Sequence, residues 1–264
     1  MRSPGSGIRA PMPDPRLFLA QPLSEGARLR LDEGQSRYLA TVLRRAVGAP
    51  VRVFNVADGE WRAEIDAKDR QGLTLIVRAR LRAPASGPDL DLLFAPVKRD
   101  ATDLIVEKAT ELGVRRLRPV LTARTIVDVV RLDRLAAIAR EAAEQTERLD
   151  VPEVLALTPL AKALDGWAGE RALIYADEQG DDPAQAWGGA AGRAAPIAAA
   201  LHSVKGAALA VLIGPEGGFE PGERRLLRSL PFVIPVSLGP RILRAETAAI
   251  ATLALVQSLW GDWR

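Results

Sequence analysis

The apolar residues between positions 16 and 82 recur with a period of two. Period-two alternation bounded by turn-forming residues is typical of half-buried β-strands. Five short runs follow this pattern: Arg16–Leu19, Ala27–Leu31, Pro50–Phe54, Glu60–Ile65 and Leu73–Val77. Because the runs are short and closely spaced, the segment 16–82 predicts a small β-barrel or sandwich.

One segment among these strands has helical periodicity instead. Within Gln35–Arg45, the side chains of Leu39, Val42 and Leu43 fall on one helical face. A helix that carries basic residues on a β-barrel is an arrangement suited to RNA contact. The candidate RNA-binding residues of this helix are Arg37, Arg44 and Arg45.

Beyond residue 88 the pattern changes to alternating strands and helices. The intervening segment 83–88 is small, proline-bearing and free of charge, as expected of a linker. Alternating elements predict an α/β domain with a mainly parallel sheet over residues 89–264. The predicted strands are Leu90–Ala95, Leu117–Leu121, Ala172–Tyr175, Ala208–Ile213 and Phe232–Leu238.

Three helices are predicted between and after these strands. The first runs from Asp100 to Leu112, with Leu104, Ile105, Ala109 and Leu112 directed inward and Gly113 as its stop. The second covers about Leu132–Arg148, and the last runs from about Glu246 to Trp260. Residues 180–206 are rich in alanine and glycine and predict an insertion made of a loop and a helix.

Composition narrows the classes of protein to consider. The chain has 264 residues, of which 48% are hydrophobic and 26% charged, as in an ordinary globular protein. No apolar run is long enough for a membrane helix, and residues 1–15 lack the apolar stretch of a signal peptide. We therefore expect a cytoplasmic protein with a disordered tail over residues 1–15.

The scarcity of cysteine and histidine excludes several kinds of catalytic and metal-binding site. The chain contains no cysteine and one histidine, so disulfides and the usual zinc sites are not expected, and no metal ligand is predicted. His202 lies in an alanine-rich stretch without an acidic neighbour, which favours a solvent-facing helical position over a catalytic triad. Neither a Walker A loop nor a Gly-x-Gly-x-x-Gly motif is present.

Charge is distributed unevenly along the chain. Residues 1–88 hold 15 Lys and Arg against 9 Asp and Glu, a net charge of +6, and the remainder holds 21 against 24, a net charge of −3. A basic N-terminal part is consistent with contact to a polyanion. An arginine-rich solubilising surface explains the same counts equally well.

Two glycine–proline turns near the C-terminus carry the strongest functional signal. The first follows a strand in the sequence LIGPEGGF (212–219), and the second follows a strand in LGPRILRAET (238–247). Ligands bind at the carboxyl ends of parallel strands, and bare backbone donors and acceptors suit a flat ligand such as an adenine ring. The few charged residues of these loops are Glu216, Arg241, Arg244 and Glu246.

This pair of motifs resembles the signature of the ribosomal RNA small subunit methyltransferase E family. Those enzymes belong to the SPOUT superfamily and form N3-methyluridine in 16S rRNA. The resemblance implies a SPOUT-type parallel sheet with a deep trefoil knot in residues 89–264, a PUA-like β-barrel in residues 16–82, and a homodimer. It also implies S-adenosylmethionine as methyl donor and 16S rRNA, within the 30S subunit, as partner.

The resemblance assigns roles to residues of both loops. Arg244 is the main candidate for stabilising charge on the uracil, with Glu246 orienting it, although capping of the last helix also explains Glu246. Arg124, which ends a strand, is the second catalytic candidate, with phosphate binding as its alternative. The residues implied in cofactor binding are Ile213, Gly214, Pro215, Glu216, Gly217, Gly218, Leu238, Gly239, Pro240, Ile242 and Leu243.

Other family motifs are matched with departures. Lys108 and Glu111 match a family segment, but an ion pair on the helix surface explains them. Arg37-Tyr38 replaces two histidines of the family's N-terminal helix, and Asp150 occupies a site that is often basic. These departures leave the RNA contacts of both regions open.

Two other functions compete with this hypothesis. A SPOUT enzyme that methylates the ribose 2′-OH typically carries a Ser-Leu-Asn-type sequence before the last helix, where this chain has Arg244–Thr247. A non-catalytic RNA-binding or ribosome-assembly factor could retain the same fold. Binding of S-adenosylmethionine would separate that factor from an enzyme.

Overall fold

The computed structural model describes residues 14–127, 129–202, 204 and 206–263. The chain divides into two compact units, with the boundary between Ala85 and Ser86. This boundary lies within the segment 83–88, which belongs to no helix or strand. Residues 1–13 of the expected tail lie outside the described residues.

The N-terminal unit is built on a five-stranded sheet, and all five predicted strands are present. The strands are β1 (Arg16–Phe18), β2 (Arg28–Arg30), β3 (Pro50–Asn55), β4 (Gly59–Asp69) and β5 (Gly72–Arg82), paired in the order β1-β3-β4-β5-β2. The β1–β3 pair is parallel and the other pairs are antiparallel. Alternate residues such as Val51, Val53, Leu75 and Val77 are fully buried, as the period of two predicts.

The helix expected over Gln35–Arg45 is shorter and less regular than predicted. An α-helix, α1, covers Glu33–Arg37, and a π-helical turn over Tyr38–Val42 follows it. The wider π-turn changes the angle between successive side chains, so Leu39 is buried whereas Val42 is 64% exposed. The prediction that Val42 shares the buried face was wrong. Arg44 then leaves the helix with a φ of 52°.

The C-terminal unit contains an eight-stranded sheet whose described pairs are all parallel. The strands are β6 (Asp89–Phe94), β7 (Arg116–Leu121), β8 (Glu153–Val154), β9 (Thr158–Pro159), β10 (Ala172–Ala176), β11 (Ala195–Pro196), β12 (Ala208–Ile213) and β13 (Val233–Ser237). Their order is β11-β13-β10-β12-β6-β7-β8, with β9 paired to β7. The five longer strands match the prediction, whereas β8, β9 and β11 were not predicted because two residues show no periodicity.

Helices cover both faces of this sheet. They are α2 (Arg99–Glu111), α3 (Leu132–Gln145), α4 (Leu160–Leu164), α5 (Ile197–Leu201), α6 (Pro221–Ser229) and α7 (Ala245–Leu259). Residues of α2, α3, α5 and α7 pack on Leu92 and Phe94 of β6, and residues of α4 and α6 pack on Leu93. The result is a three-layer α/β unit.

Several helical predictions need correction. The inward face of α2 includes Val106 and Thr110, which are fully buried, whereas Leu104 and Leu112 are half-buried. Helix α3 ends at Gln145 and not at Arg148, because Glu147 has a left-handed φ of 63°. Helices α4 and α6 were not predicted. The insertion 180–206 does contain a helix, α5, and His202 at its end is exposed, as expected.

Helix α7 forms part of the core of its own unit. Leu253 and Val256 are fully buried against α2, α5 and β12, so these two side chains offer no free surface. No helix within the described residues combines the length and the apolar character needed to cross a membrane.

A buried glutamine fastens α7 to the end of α2. Gln257 has no solvent exposure; its Nε2 donates to the carbonyl of Leu112 at 2.6 Å, and its Oε1 accepts from the backbone N–H of Asp262 at 3.1 Å. Gly113, at φ 82°, leaves the space that this amide occupies. One side chain thereby provides hydrogen-bond partners for a backbone group at the end of α2 and for another just after α7.

Gln257→Leu should destabilise the protein, because it removes two hydrogen bonds that a buried amide makes to the partly buried backbone groups of Leu112 and Asp262. The free energy of unfolding should fall by about 0.5–1.5 kcal/mol for each hydrogen bond lost. Urea denaturation measures this change. Gln145→Leu, at an exposed position of α3, is the control and should change stability by less than about 0.5 kcal/mol. Equal effects of the two substitutions would contradict the role given to Gln257.

Candidate functional site

Four neighbouring strands end at one edge of the C-terminal sheet. In the order β13, β10, β12 and β6 they are parallel, so the loops that follow them lie side by side. Both glycine–proline loops belong to this set, as predicted, because Gly214 follows β12 and Gly239 follows β13. Strand β10 lies between them.

These loops form a cleft of about 410 Å³. Its volume is within the range of about 300–1,000 Å³ that is usual for small-molecule sites. Small and apolar residues of β10 and α7 line it together with residues of both loops. The lining residues are Lys98, Ala176, Glu178, Trp187, Ile213, Gly214, Pro215, Glu216, Ile242, Leu243, Arg244, Ala245 and Ala248.

A small cavity of about 30 Å³ adjoins this cleft. The two share Ala176, Glu178, Leu243 and Ala248, and the small cavity adds Leu238, Gly239 and Arg241. The structure therefore brings most of the predicted cofactor-binding residues into one continuous region. Three of them line neither space: Gly217, Gly218 and Pro240.

The first loop is shaped by Gly214 and Gly218. A Cβ on Gly214 would lie 2.5 Å from the ring of Phe219, which is buried edge-on against Tyr175 with the centroids 5.0 Å apart. The missing side chain at position 214 therefore makes room for Phe219. Gly218 has a φ of 68° and donates its N–H to the carbonyl of Pro215 at 2.9 Å, which closes the turn.

Arg124 holds this loop from outside the cleft. Its Nη1 donates to the carbonyl of Gly217 at 2.9 Å, and its Nε donates to Glu220 at 2.9 Å. The neighbouring N–H of Ala123 donates to Glu223 at 2.8 Å, so the segment is attached to the start of α6 at two points. The structure does not place Arg124 among the cleft residues. Its contacts are those of a residue that positions the loop.

In the second loop, glycine is required at position 239 by the backbone conformation and not by a lack of space. Gly239 has a φ of 108°, which side-chain-bearing residues rarely adopt, while nothing lies within 4 Å of an added Cβ. Its N–H donates to Ser237 Oγ at 3.3 Å. The left-handed region at Gly239 turns the chain from β13 toward α7.

Arg244 and Glu246 lie at the start of α7. Arg244 is the residue before the helix, is exposed, and lines the cleft. Glu246 is half-buried and does not line the cleft; a carboxylate at this position interacts favourably with the helix dipole. No hydrogen bond or ion pair joins these two side chains within the described part of the chain.

Six residues of the cleft were not predicted from the sequence: the small residues Ala176, Ala245 and Ala248, and the larger residues Lys98, Glu178 and Trp187. Lys98 follows β6 and Glu178 follows β10, so the carboxyl-end rule that identified the glycine loops could have identified both. Trp187 lies in the insertion. The only feature of the sequence that could have indicated a role for it is that it is an aromatic residue among alanines and glycines.

Glu178 lies between the two glycine loops and is half-buried. A Cβ on Gly218 would lie 3.2 Å from its Oε1, so the glycine lets the carboxylate approach the first loop. Burial raises the pKa of the Glu178 carboxyl above its usual range, and the negative charge of Asp177 acts in the same direction. Asp177 itself is paired with Arg224 at 2.9 Å and Arg228 at 2.7 Å.

The candidate RNA-binding arginines of the N-terminal unit differ in exposure. Arg37 and Arg44 are exposed, whereas Arg45 is half-buried and its Nε is buried without a hydrogen-bond partner among the described residues. Two other predicted residues have structural partners. Lys108 pairs with Glu111 at 2.8 Å, as expected, and Asp150 accepts two hydrogen bonds from Arg148, at 3.1 and 2.9 Å. Asp150 thus serves to hold Arg148.

Within the described residues, no group of three or more His, Asp or Glu side chains could hold a metal ion.

Comparison with known proteins identifies related chains. The model of the RNA methyltransferase domain family matches residues 85–257. The ribosomal RNA small subunit methyltransferase E of Rickettsia conorii is 31% identical over 245 residues, covering 92% of this chain and 95% of that protein. The enzyme of the same name from Mycobacterium tuberculosis is 28% identical over 260 residues, covering 94% and 93% of the two chains.

Solved structures of similar proteins align with this chain over nearly its whole length. The crystal structure of the ribosomal RNA small subunit methyltransferase E from Neisseria gonorrhoeae, bound to S-adenosylmethionine, aligns with a TM-score of 0.79 at 28% identity. The alignment covers 95% of this chain and 100% of that chain. A Legionella pneumophila protein in complex with the same cofactor aligns with a TM-score of 0.80 at 26% identity, with the same coverage of both chains.

Glu178→Gln should stabilise the protein increasingly as pH rises. The folded-state pKa of Glu178 is raised, so at pH values below its unfolded-state pKa the carboxyl is protonated in both states and the substitution changes little. As pH rises through the folded-state pKa, the wild-type protein must keep a carboxylate where burial disfavours it. The variant has no such cost.

Urea denaturation between pH 4 and pH 8 measures this difference. The advantage of Glu178→Gln should grow with pH and then level off. Glu216→Gln, which removes an exposed carboxylate from the same cleft, is the control and should change stability by less than about 0.5 kcal/mol. An advantage of Glu178→Gln that shrinks as pH rises would contradict the burial of this charge.

Proposed function

The chain belongs to the ribosomal RNA small subunit methyltransferase E family, and we propose that it transfers the methyl group of S-adenosylmethionine to N3 of a uridine in 16S rRNA. The observation that carries this proposal is the cleft at the ends of β10, β12 and β13, which Arg244 lines beside the two glycine–proline loops. Residues of both family motifs therefore line the same cleft.

The cleft residues fit S-adenosylmethionine chemically. Ile213, Ile242 and Leu243 provide apolar surface, and the loop backbones provide donors and acceptors for an adenine ring. Glu178 and Glu216 supply negative charge toward a ligand that carries a sulfonium and an ammonium group. When bound, the cofactor supplies an electrophilic methyl group, and the chain's own residues position it.

Arg244 is the residue that we assign to the developing charge. Loss of the N3 proton to solvent leaves negative charge on the uracil, shared with O2 and O4, and the Arg244 guanidinium at the cleft stabilises it. Glu246 makes no hydrogen bond or ion pair to this arginine among the described residues, so we assign it to the first turn of α7, where a carboxylate interacts favourably with the helix dipole. We assign Arg124 to positioning, because its hydrogen bonds are already made to Gly217 and Glu220.

The proposal includes the fold of the superfamily. A trefoil knot in residues 89–264 is supported by the strand order, since β10 lies between β12 and β13 although it precedes both in the chain. It is also supported by the return of α7 onto α2 and β12. The N-terminal sheet, with its exposed Arg37 and Arg44, is assigned as a PUA-like RNA-binding barrel.

The partners follow from the same assignment. We assign the enzyme to the cytoplasm, with the 30S subunit as its substrate and a second copy of the chain as its partner. Leu253 and Val256 are buried within one chain, so we assign the homodimer contact to apolar side chains that are exposed. Ile126 and Val129, with exposures of 89% and 74%, offer apolar area for it.

The direct test is to identify the methylated nucleoside. The protein is incubated with S-adenosylmethionine and 30S subunits from cells that lack it, and the 16S rRNA is digested and analysed by mass spectrometry. N3-methyluridine is the expected product. A 2′-O-methylated nucleoside would indicate the ribose-methylating alternative, and RNA binding without any methylation would indicate an assembly factor.

Gly239→Val should abolish binding of S-adenosylmethionine while the protein stays folded. Valine does not tolerate the left-handed φ of 108°, so the second loop must move although no atom obstructs the new side chain. Calorimetric titration with the cofactor measures the effect. Gly166→Val is the matched control, because Gly166 also has a positive φ, 63°, and open space, but lines neither the cleft nor the small cavity. Unchanged affinity in Gly239→Val would show that the loop is not part of the cofactor site.

Arg244→Ala should lower the rate of methylation with little change in cofactor affinity. Removal of one preorganised charge-stabilising group typically costs on the order of a hundred-fold in rate. Single-turnover kinetics on saturating 30S subunits measures this rate. Arg37→Ala and Arg44→Ala should behave oppositely, with weaker RNA binding, a salt dependence reduced by about one unit of slope, and a preserved rate at saturation. A wild-type rate for Arg244→Ala at saturation would refute its catalytic assignment.

A further inference from the structure

A second and larger cavity lies beside the proposed methyl-transfer cleft. Its volume is about 770 Å³, and it is formed between the insertion and α6. Trp187 lines both spaces. The function proposed above uses only the smaller cleft, so the larger cavity and the tryptophan beside it have no assigned role.

Trp187 is presented in a strained conformation. Its backbone has φ 56° and ψ 26°, a left-handed conformation that is unfavourable for a bulky residue, and the residue is 36% exposed. Strain of this kind persists where the surrounding structure holds it in place. Burial of an indole ring does not explain it, because a large part of the residue faces solvent.

The loop that carries Trp187 is closed on itself. The N–H of Gly180 donates to the carbonyl of Trp187 at 2.8 Å, and the N–H of Asp182 donates to the carbonyl of Gly188 at 3.0 Å. Gly180 and Gly188 approach so closely that a Cβ on either would collide with the backbone of the other. Glycine is therefore required at both positions for this loop to form.

Helix α6 fastens the same loop. Arg224 donates from Nη2 to the carbonyl of Gln179 at 2.7 Å and from Nη1 to Asp181 at 2.5 Å, while its Nε is bonded to the buried Asp177. The indole is thus displayed from a fixed support. A flat aromatic surface held in this way loses little conformational entropy when a second ring stacks on it.

One arginine of the cavity lining has no acidic partner among the described residues. The lining contains Arg224, Arg225 and Arg228 against Asp181 and Asp182. The ion pairs of Arg224 and Arg228 are made with Asp177 and Asp181. Arg225 is exposed and makes no ion pair with any described residue, so its charge is available to a phosphate.

We propose that Trp187 is a stacking platform for a base of the substrate RNA, that the cavity beside it takes the nucleotide adjacent to the target uridine, and that Arg225 binds its phosphate. Proteins recognise unpaired RNA bases by stacking them on aromatic side chains, and the bases that flank a target nucleotide contribute to substrate choice. This proposal rests on the function proposed above, because it takes RNA as the substrate of the adjoining cleft.

The test compares Trp187→Ala, Trp187→Phe and the wild-type protein in binding 30S subunits from cells that lack the enzyme. Binding is measured in the presence of S-adenosylhomocysteine, so it does not depend on turnover. Trp187→Ala should weaken binding roughly ten-fold or more, the usual effect of losing one stacked base, whereas Trp187→Phe should retain most of the affinity. Trp263→Ala, at another exposed tryptophan that lines neither cavity, is the control and should leave the affinity unchanged.

Two further measurements separate the alternatives. Because Trp187 also lines the methyl-transfer cleft, affinity for S-adenosylmethionine is measured in the same variants, and Trp187→Ala should lose more RNA affinity than cofactor affinity. A loss of cofactor affinity with unchanged RNA affinity would mean that Trp187 stacks on the cofactor, and the proposal would be wrong. Arg225→Ala should reduce the salt dependence of RNA binding by about one unit of slope, and Arg225→Lys should restore it.

The outcomes also distinguish this proposal from the one it rests on. If the wild-type protein methylates 30S subunits and Trp187→Ala binds them normally, only the stacking role fails. If the wild-type protein binds 30S subunits but methylates nothing, the methyltransferase assignment fails, and the comparison of RNA affinities still decides the role of Trp187.

Discussion

The parallel alignment of β13, β10, β12 and β6 is the constraint from which the candidate site follows. Neighbouring strands lie about 4.8 Å apart, so the ends of β12 and β13, with β10 between them, are separated by about 10 Å. Two loops that are distant in sequence therefore face each other across the width of one strand. The residue that follows the middle strand, Glu178, lies between them, and Lys98 joins from β6 for the same reason.

Glycines and arginines then fix the shape of the loops by different physical means. Gly214 leaves room for the buried ring of Phe219, and Gly239 permits a left-handed backbone. Gly218 combines a left-handed backbone with room for the Glu178 carboxylate. Arg124 holds the first glycine loop and Arg224 holds the insertion, in both cases through charge-assisted hydrogen bonds to carbonyls and carboxylates. The two arginines thus preorganise the cleft although neither of them lines it.

Stability and function make opposite demands on this unit. Gln257 and Arg148 donate hydrogen bonds to backbone carbonyls at the end of α2, so they lower the free energy of the folded state. Glu178 and Trp187 do the reverse, because one is a half-buried carboxylate with a raised pKa and the other has a strained backbone. Unfavourable features of this kind cluster at functional sites, and here both line the same cleft.

The sequence by itself determined the five strands of each sheet that have enough length for a period to show, the helices α2, α3 and α7, and the position of both glycine–proline loops at strand ends. These features are encoded locally, in the spacing of apolar residues and in turn chemistry. Only the tertiary structure decided that β10 separates β12 and β13, that Arg124 bonds to Gly217, that Val42 turns outward after a π-turn, and that Glu178 and Trp187 enter the cleft. Each of these depends on strand order or on contacts between distant segments, for which neighbouring residues carry no signal.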